Sequence, residues 1–366
     1  MLVSALAIIL SSPTTVFQSG EGGFHTYRIP SLYHTTKGTT LAFVEGRASQ
    51  ADAANNSLVL RTSTDEGKTW GTQRTIAKPE GGSFNNPCIV ETSKGELILH
   101  YQHYPAGTHE FDVPPGWTGE RAVQAYQIKS RDQGKTWSPA IRLTEQIKSK
   151  EAHTLASGPG VGIKLERGKK RGRLLMPYNQ RIGQRFTVYA AISDDNGNSW
   201  RMGQPATSAP EVHANEVQFV ELAEGAILLN ARNQASAKMR CVALSHDFGE
   251  TWTPISLDTN LPDPTCQGSI LRSAWPNSGQ PGLIAFSNPA DQSGRKNGVI
   301  RLSFDEGRTW PFTQVIEEGS FQYSSLCRFA DDRLGILYEH VVDNKYQIIF
   351  RQIQIEGVDH LTVLRP

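Results

Sequence analysis

Five aspartates of this 366-residue chain recur in one local setting, S-x-D-x-G-x-[ST]-W. An acidic residue repeated in a glycine-containing loop first raises the question of calcium. The D-x-[DN]-x-[DN]-G order and its terminal glutamate are absent, so these are not calcium loops of that kind. The aspartate instead suits a turn, where it accepts hydrogen bonds from nearby backbone N–H groups. The glycine supplies positive φ, and the tryptophan is expected to anchor the turn on its own sheet. The repeats therefore read as structural, with the chemistry elsewhere. Cys88, Cys241, Cys266 and Cys327 are widely spaced and form no C-x-x-C pair, and the ten histidines give no convincing ligand spacing. Neither a zinc site nor a disulfide framework is supported, and the cysteines read as buried thiols. No metal or cofactor is expected.

The elements that must position any site follow from the same repeat. The box aspartates Asp65, Asp132, Asp195, Asp247 and Asp305 lie 67, 63, 52 and 58 residues apart, a period that divides the chain into six units. Each box follows an alternating run such as Ser57–Thr62 or Val299–Leu302, and further short strand-like segments come after it. Periods of this length with several strands each indicate propeller blades. Five of the seven tryptophans occupy the box position, so the recurrence is not accidental. The expected fold is all-β, a six-bladed propeller of four-stranded antiparallel blades, which can reach this length as one unit. The 37 basic and 36 acidic residues nearly cancel, which gives no sign of a nucleic-acid partner. Residues 1–12, MLVSALAIILSS, are too short an apolar run to span a bilayer. They are open to two readings, a remnant signal peptide or a first strand closing the ring, with residues 13–366 as a single propeller domain. A secreted or periplasmic monomer is the expectation, with a cytoplasmic one left open. The basic run Lys164–Arg173 reads as a solvated hairpin tip.

Taken singly, the remaining polar residues are unremarkable. Tyr323 before two serines reads as a strand residue, Arg28 as a surface or capping group, Glu216 as solvent-facing and Asp52 as a turn former. Their joint order changes this. The box turns together with Tyr27-Arg28-Ile29-Pro30 resemble the Asp-box (BNR-repeat) exo-α-sialidases of bacteria and animals, and the likeness runs from about Val16 to Glu339. It includes Gly158-Pro159-Gly160, the segment Arg173–Pro177 and the segment Asp263–Ser269. The resemblance implies a three-arginine carboxylate clamp of Arg28, Arg232 and Arg295. It also implies an acid/base Asp52, a nucleophile Tyr323 partnered by Glu216, and Arg47 as a further substrate-binding group. The loop Ala48–Asn56 departs from the family pattern in lacking a second aspartate. The residues Tyr101–Gly119 could form a rim, and Tyr178 could line the pocket.

The implied chemistry is coherent. A terminal sialic acid carries its carboxylate on the anomeric carbon, where arginines offer planar, permanently charged, bidentate partners. A carboxylate nucleophile would meet that charge head-on, whereas a phenol would not, and sialidases are the recognised glycosidases with a tyrosine nucleophile. A phenol needs a base, the role the resemblance gives Glu216, and the departing oxygen needs an acid, the role it gives Asp52. The function implied is hydrolysis of terminal sialic acid from glycans, glycoproteins or gangliosides with retention. The alternatives are a trans-sialidase or a non-catalytic carbohydrate-binding propeller.

Overall fold

A box turn ends the third strand of a blade and leads into the fourth, so the repeat unit is a four-stranded meander. The computed structural model describes residues 6–331 and 333–357, and arranges six such sheets as a six-bladed β-propeller. The blades begin at the inner strands Thr26–His34, Ser83–Glu91, Thr154–Ser157, Ala214–Glu221, Ser269–Ala274 and Ser324–Arg328. One helical turn, Thr144–Ile147, is the only helix among the described residues. Strands such as Thr40–Arg47 are buried along their whole length. Their two faces pack against different neighbouring blades, which is why apolar residues run on instead of alternating. The core is accordingly distributed as apolar clusters between successive blades, one for each junction of the ring.

The sixth blade explains why six units carry five boxes. Its third strand, Lys345–Glu356, pairs not with a following segment but with Ala7–Leu10, in the register Ala7↔Glu356 to Leu10↔Ile353. Thr14–Gln18 pairs with the other half of the same strand. The fourth strand of this blade comes from the other end of the chain, so there is no third-to-fourth connection in which a box could sit. Residues 1–5 lie outside those described.

The boxes are held as the sequence suggests. In the first, Thr69 N and Thr69 Oγ1 donate to Asp65 at 2.9 and 2.6 Å, and Gly67 has φ of +87°. Their packing corrects one expectation, since a box does not rest on its own sheet alone. A Cβ on Gly67, Gly134, Gly197, Gly249 or Gly307 would meet Phe350, Leu41, Ile98, Leu175 or Leu228, each on the preceding blade. Trp137 likewise meets Phe43 edge-on, 5.9 Å between centroids, and Trp200 donates from Nε1 to Gln127 at 2.9 Å. Phe219, beside Trp252, does lie in that box's own blade. The box is thus a wedge between blades.

The third blade is irregular in a way that matters for the site. Its inner strand is split into Thr154–Ser157 and Ile163–Lys164, both paired to Leu174–Ile182. Between them, Gly160–Val161 crosses to run parallel to Cys88–Ile89 of the second blade. Ser31 of the first blade donates to Gly160 O at 2.7 Å, Gln218 of the fourth donates to Pro159 O at 2.7 Å, and Val217 N donates to Gly158 O at 3.1 Å. This excursion ties the third blade to the first, second and fourth. A side chain at Gly160, φ +119°, would put its Cβ 2.2 Å from Gln218 Nε2. Of the segment Lys164–Arg173, the tip is exposed, but Arg173 is buried against Asp194 and Glu250. The four cysteines are free and buried.

Candidate active site

Arg28, Arg47, Asp52, Glu216, Arg232, Arg295 and Tyr323 all line one open pocket on one side of that excursion. Four blades, the first, fourth, fifth and sixth, supply the seven groups from their strands or adjoining loops, so the set could not be assembled from neighbouring sequence.

Tyr323 is 6% exposed and sits where the sixth blade's inner strand begins. Its hydroxyl donates a short hydrogen bond to Glu216 Oε1, and Arg232 Nη1 donates to the same hydroxyl at 3.0 Å and to Glu216 Oε2 at 2.8 Å. Burial, then the Glu216 charge, push the phenol well above its ordinary value, against the pull of Arg232 and Arg295. The guanidinium carbons of Arg28 and Arg295 lie 5.3 and 5.5 Å from the Tyr323 ring centroid. Ile29, Cys266 and Tyr323 form a small apolar cluster.

Arg28 is aimed by a residue absent from the sequence reading. Buried Glu339, on strand Leu334–Val342 of the sixth blade, takes Arg28 Nε at 3.1 Å and Nη2 at 2.9 Å. It also accepts Ile29 N at 2.7 Å. Ile29 has φ of +59°, an uncommon conformation for a β-branched residue, inside the bulge between Arg28 and Ser31. The other β-branched residue at positive φ among those described is Thr265, +66°, whose carbonyl accepts Arg295 Nη2 at 3.1 Å. Two guanidinium groups of the pocket are therefore held by bonds tied to left-handed turns in the backbone. Asp263 and Arg240, both fully buried and 3.1 Å apart, brace the second of these loops: Asp263 accepts Cys266 N at 2.8 Å and Asn233 N at 3.1 Å.

Arg47 lies between two carboxylates. Its Nε donates to buried Glu45 at 2.9 Å, and Nη1 donates to Asp52 Oδ1 at 2.7 Å. Burial raises the Glu45 carboxyl, which also accepts Asn86 N at 2.7 Å. Asp52, whose side chain is 69% exposed, is the looser partner, 3.9 Å from Arg28 Nη1. What burial it has raises its carboxyl, but the charge and hydrogen bond of Arg47, with Arg28 behind them, hold it below the usual aspartate value.

A signal for the two missed acids was present. Glu339 is a lone carboxylate in an apolar strand run, and Glu45 stands two positions before Arg47, on the same face of one strand. Of the other expectations, Tyr104, His109 and Glu110 do reach the pocket from the loop of the second blade. Tyr178 does not: it is fully buried, 3.0 Å from His100 Nδ1 in the junction between the second and third blades.

The BNR repeat-like domain family matches residues 38–337. The chain belongs to the BNR-repeat sialidase family. It is 34% identical over 340 residues to a sialidase of Micromonospora viridifaciens, covering 88% of this chain and 51% of that protein. It is 32% identical over 364 residues to a sialidase of Bacteroides fragilis strain YCH46, covering 94% of this chain and 64% of that one. The chain thus spans about half the length of the first BNR-repeat relative and under two thirds of the second. The solved structure of a Hadza microbial sialidase superposes with a TM-score of 0.82 at 26% identity, covering 93% of this chain and 68% of that chain.

Proposed function

We propose that the chain is an exo-α-sialidase that hydrolyses terminal sialic acid from glycoconjugates with retention. The observation that carries this reading is the Tyr323–Glu216 hydrogen bond inside a pocket shared with three arginines. Such a couple has little use in a non-catalytic carbohydrate-binding site, where a buried phenol beside a buried carboxylate would only cost stability.

In the proposed reaction the substrate carboxylate lies between Arg28, Arg232 and Arg295. Arg232 gives up part of its contact with Glu216 to reach it, which frees Glu216 to take the Tyr323 proton as the phenol oxygen bonds to the anomeric carbon. Arg232 and Arg295 stabilise the phenolate character that develops on the way. Asp52 gives its proton to the departing glycosidic oxygen. Arg28 is neutralised by the substrate carboxylate, and the added negative charge raises the proton affinity of Asp52, opposing the pull that keeps it ionised in the empty pocket. Water then enters on the face the leaving group vacated, Asp52 removes its proton, and its attack opposite Tyr323 breaks the bond to the phenol oxygen and releases the sugar while Glu216 returns a proton to Tyr323.

The test is release of a fluorescent aglycone from an aryl α-sialoside. Wild type should cleave it; Tyr323→Phe and Asp52→Ala should fall by roughly 10²-fold or more in kcat. A folded wild-type protein inert on every sialoside would sink the enzyme reading. Full activity in Tyr323→Phe would leave the function standing and remove the nucleophile. Proton NMR of the first-formed anomer decides retention.

A further inference from the structure

The three arginines proposed to clamp the carboxylate are not held alike. Arg28 is gripped by the Glu339 carboxylate and Arg232 by that of Glu216. Arg295 forms no ion pair among the described residues; its guanidinium donates to Thr265 O at 3.1 Å and to Gln322 Oε1 at 3.5 Å. It also stands on a connection, between Leu283–Pro289 and Lys296–Ser303, instead of on a strand. An arginine on a loop with only neutral acceptors depends on whatever holds those acceptors in place.

Behind Thr265 that support converges on one carboxylate. Asp263 lies between strand Ser256–Pro262 of the fourth blade and strand Ser269–Ala274 of the fifth, and is fully buried. Its Oδ1 accepts Cys266 N at 2.8 Å, from the residue after Thr265. Its Oδ2 accepts Asn233 N at 3.1 Å, from the residue after Arg232. Arg240 completes the network, since its Nη1 donates to Asp263 Oδ2 at 3.1 Å and to Cys266 O at 2.6 Å. Lys238 adds a second link. Its carbonyl accepts Asp263 N at 2.8 Å and Gln292 Nε2, from the loop that carries Arg295, at 2.9 Å. Its Nζ donates to Thr265 Oγ1 at 3.0 Å. Arg28 is tied instead to Glu339 of the sixth blade.

We propose that Asp263 is a positioning residue for the substrate carboxylate: through Asn233 and Cys266 it fixes the place of Arg232 relative to Arg295, so that both can reach one anion. The inference rests on the sialidase reading above. The site calls for an acceptor with two oxygens and no hydrogen, because three N–H groups from two chain segments converge on it. An asparagine in its place offers one oxygen and turns an NH2 group against at least one of those donors. The loops bearing Asn233 and Cys266 must then part. Neutralising Arg240 as well removes the unpaired buried charge that such a change leaves behind, but it does not restore the second oxygen. Stability and position are therefore separable at this residue.

The experiment measures kcat, KM and the thermal midpoint on an aryl α-sialoside for wild type, Asp263→Asn, Asp263→Asn with Arg240→Gln, and Lys238→Met. Each is also made with Arg295→Lys, which keeps the charge but gives up the planar fork that reaches Thr265 O. Asp263→Asn should lose roughly 10- to 100-fold in kcat/KM, mostly through KM. Adding Arg240→Gln should recover much of the thermal midpoint and little of the KM. Lys238→Met removes only the partly exposed bond to Thr265, so it should fold normally and raise KM about threefold or more; it carries the test if Asp263→Asn does not fold. In the Arg295→Lys chain the same changes should cost several-fold less, because the residue they act through is already displaced. KM returning to the wild-type value together with the midpoint would make Asp263 an element of stability alone and overturn the proposal. So would losses as large with Arg295→Lys as without it, or a Lys238→Met with unchanged KM. Failure of the sialidase reading looks different, since wild type then cleaves no sialoside.

Discussion

At the scale of single residues, the pocket shows how few charges are free to act. Glu45 fixes Arg47, Glu339 fixes Arg28, and the Thr265 carbonyl steadies Arg295, which leaves Asp52, largely exposed, as the most adjustable acid. Its neighbours decide its proton: Arg47 foremost, then Arg28 and His109, all favour the ionised form. If Asp52 is the proton donor in the free enzyme's productive form, kcat/KM must decline as pH rises through its depressed value. Arg47→Gln removes the largest of these pulls, so Asp52 should rise toward the ordinary aspartate range and the alkaline limb of kcat/KM should move to higher pH, even as the maximum falls. A limb that stays in place would mean that Asp52 is not the donor, or that Arg47 does not control it. The seven site residues were legible in order along the sequence because motifs flank them. Their partners were not: Arg28 and Glu339 are 311 positions apart, and nothing local to either marks the pair.

At the scale of the element, the box turn has two jobs. Its hydrogen bonds, repeated at each aspartate, were predictable from residue chemistry, because every partner lies within four positions. Its seat against the preceding blade was not, since spacing along the chain does not say which neighbour a glycine faces. Gly197 illustrates the constraint. Its φ is +73°, and a Cβ would fall 2.1 Å from Ile98 Cδ1. Gly197→Ala therefore combines left-handed strain with overpacking, together about 2–5 kcal/mol. The expected result is a lower denaturant midpoint with an unchanged slope. Ile98→Ala in the same chain should recover part of the loss, because it removes the clash but not the strain. If the double variant were no better than the sum of the singles, the contact between blades would not be what Gly197 protects. The split inner strand of the third blade had a similar mixture of visible and hidden features. Gly158-Pro159-Gly160 stood out as a motif, yet its crossing to the second blade depends on acceptors and donors from three other blades.

At the scale of the whole molecule, the site depends on how the ring closes. The blade count followed from the box period, and the missing sixth box follows from the closure: the outer strand of the last blade is Ala7–Leu10. Ile8 and Leu10 of that strand, with Leu6 just before it, pack against the cluster that includes Leu334, Ile336 and Ile353, while Ala7 and Ile9 are exposed, the alternation of a half-buried edge. The chain continues from there into the first blade, so this strand is the covalent tie between the sixth blade and the first. Arg28 belongs to the first and Glu339 and Tyr323 to the sixth, which sets the Arg28–Glu339 pair across the junction that the tie secures. Loosening the strand should then reach the pocket. Ile8→Asp with Leu10→Asp places charges against an apolar cluster and should destabilise the fold by about 2–5 kcal/mol, shortening the half-life of heat inactivation. At temperatures where the variant remains folded, kcat/KM on an aryl α-sialoside should still fall several-fold through KM, because Arg28 loses its fixed relation to the sixth blade. Substitutions of equal stability cost at the Gly197 wedge, one junction removed from Arg28, should leave KM closer to wild type. If both variants altered KM alike at matched stability, the effect would be one of global loosening, and the closing strand would have no special hold on the pocket.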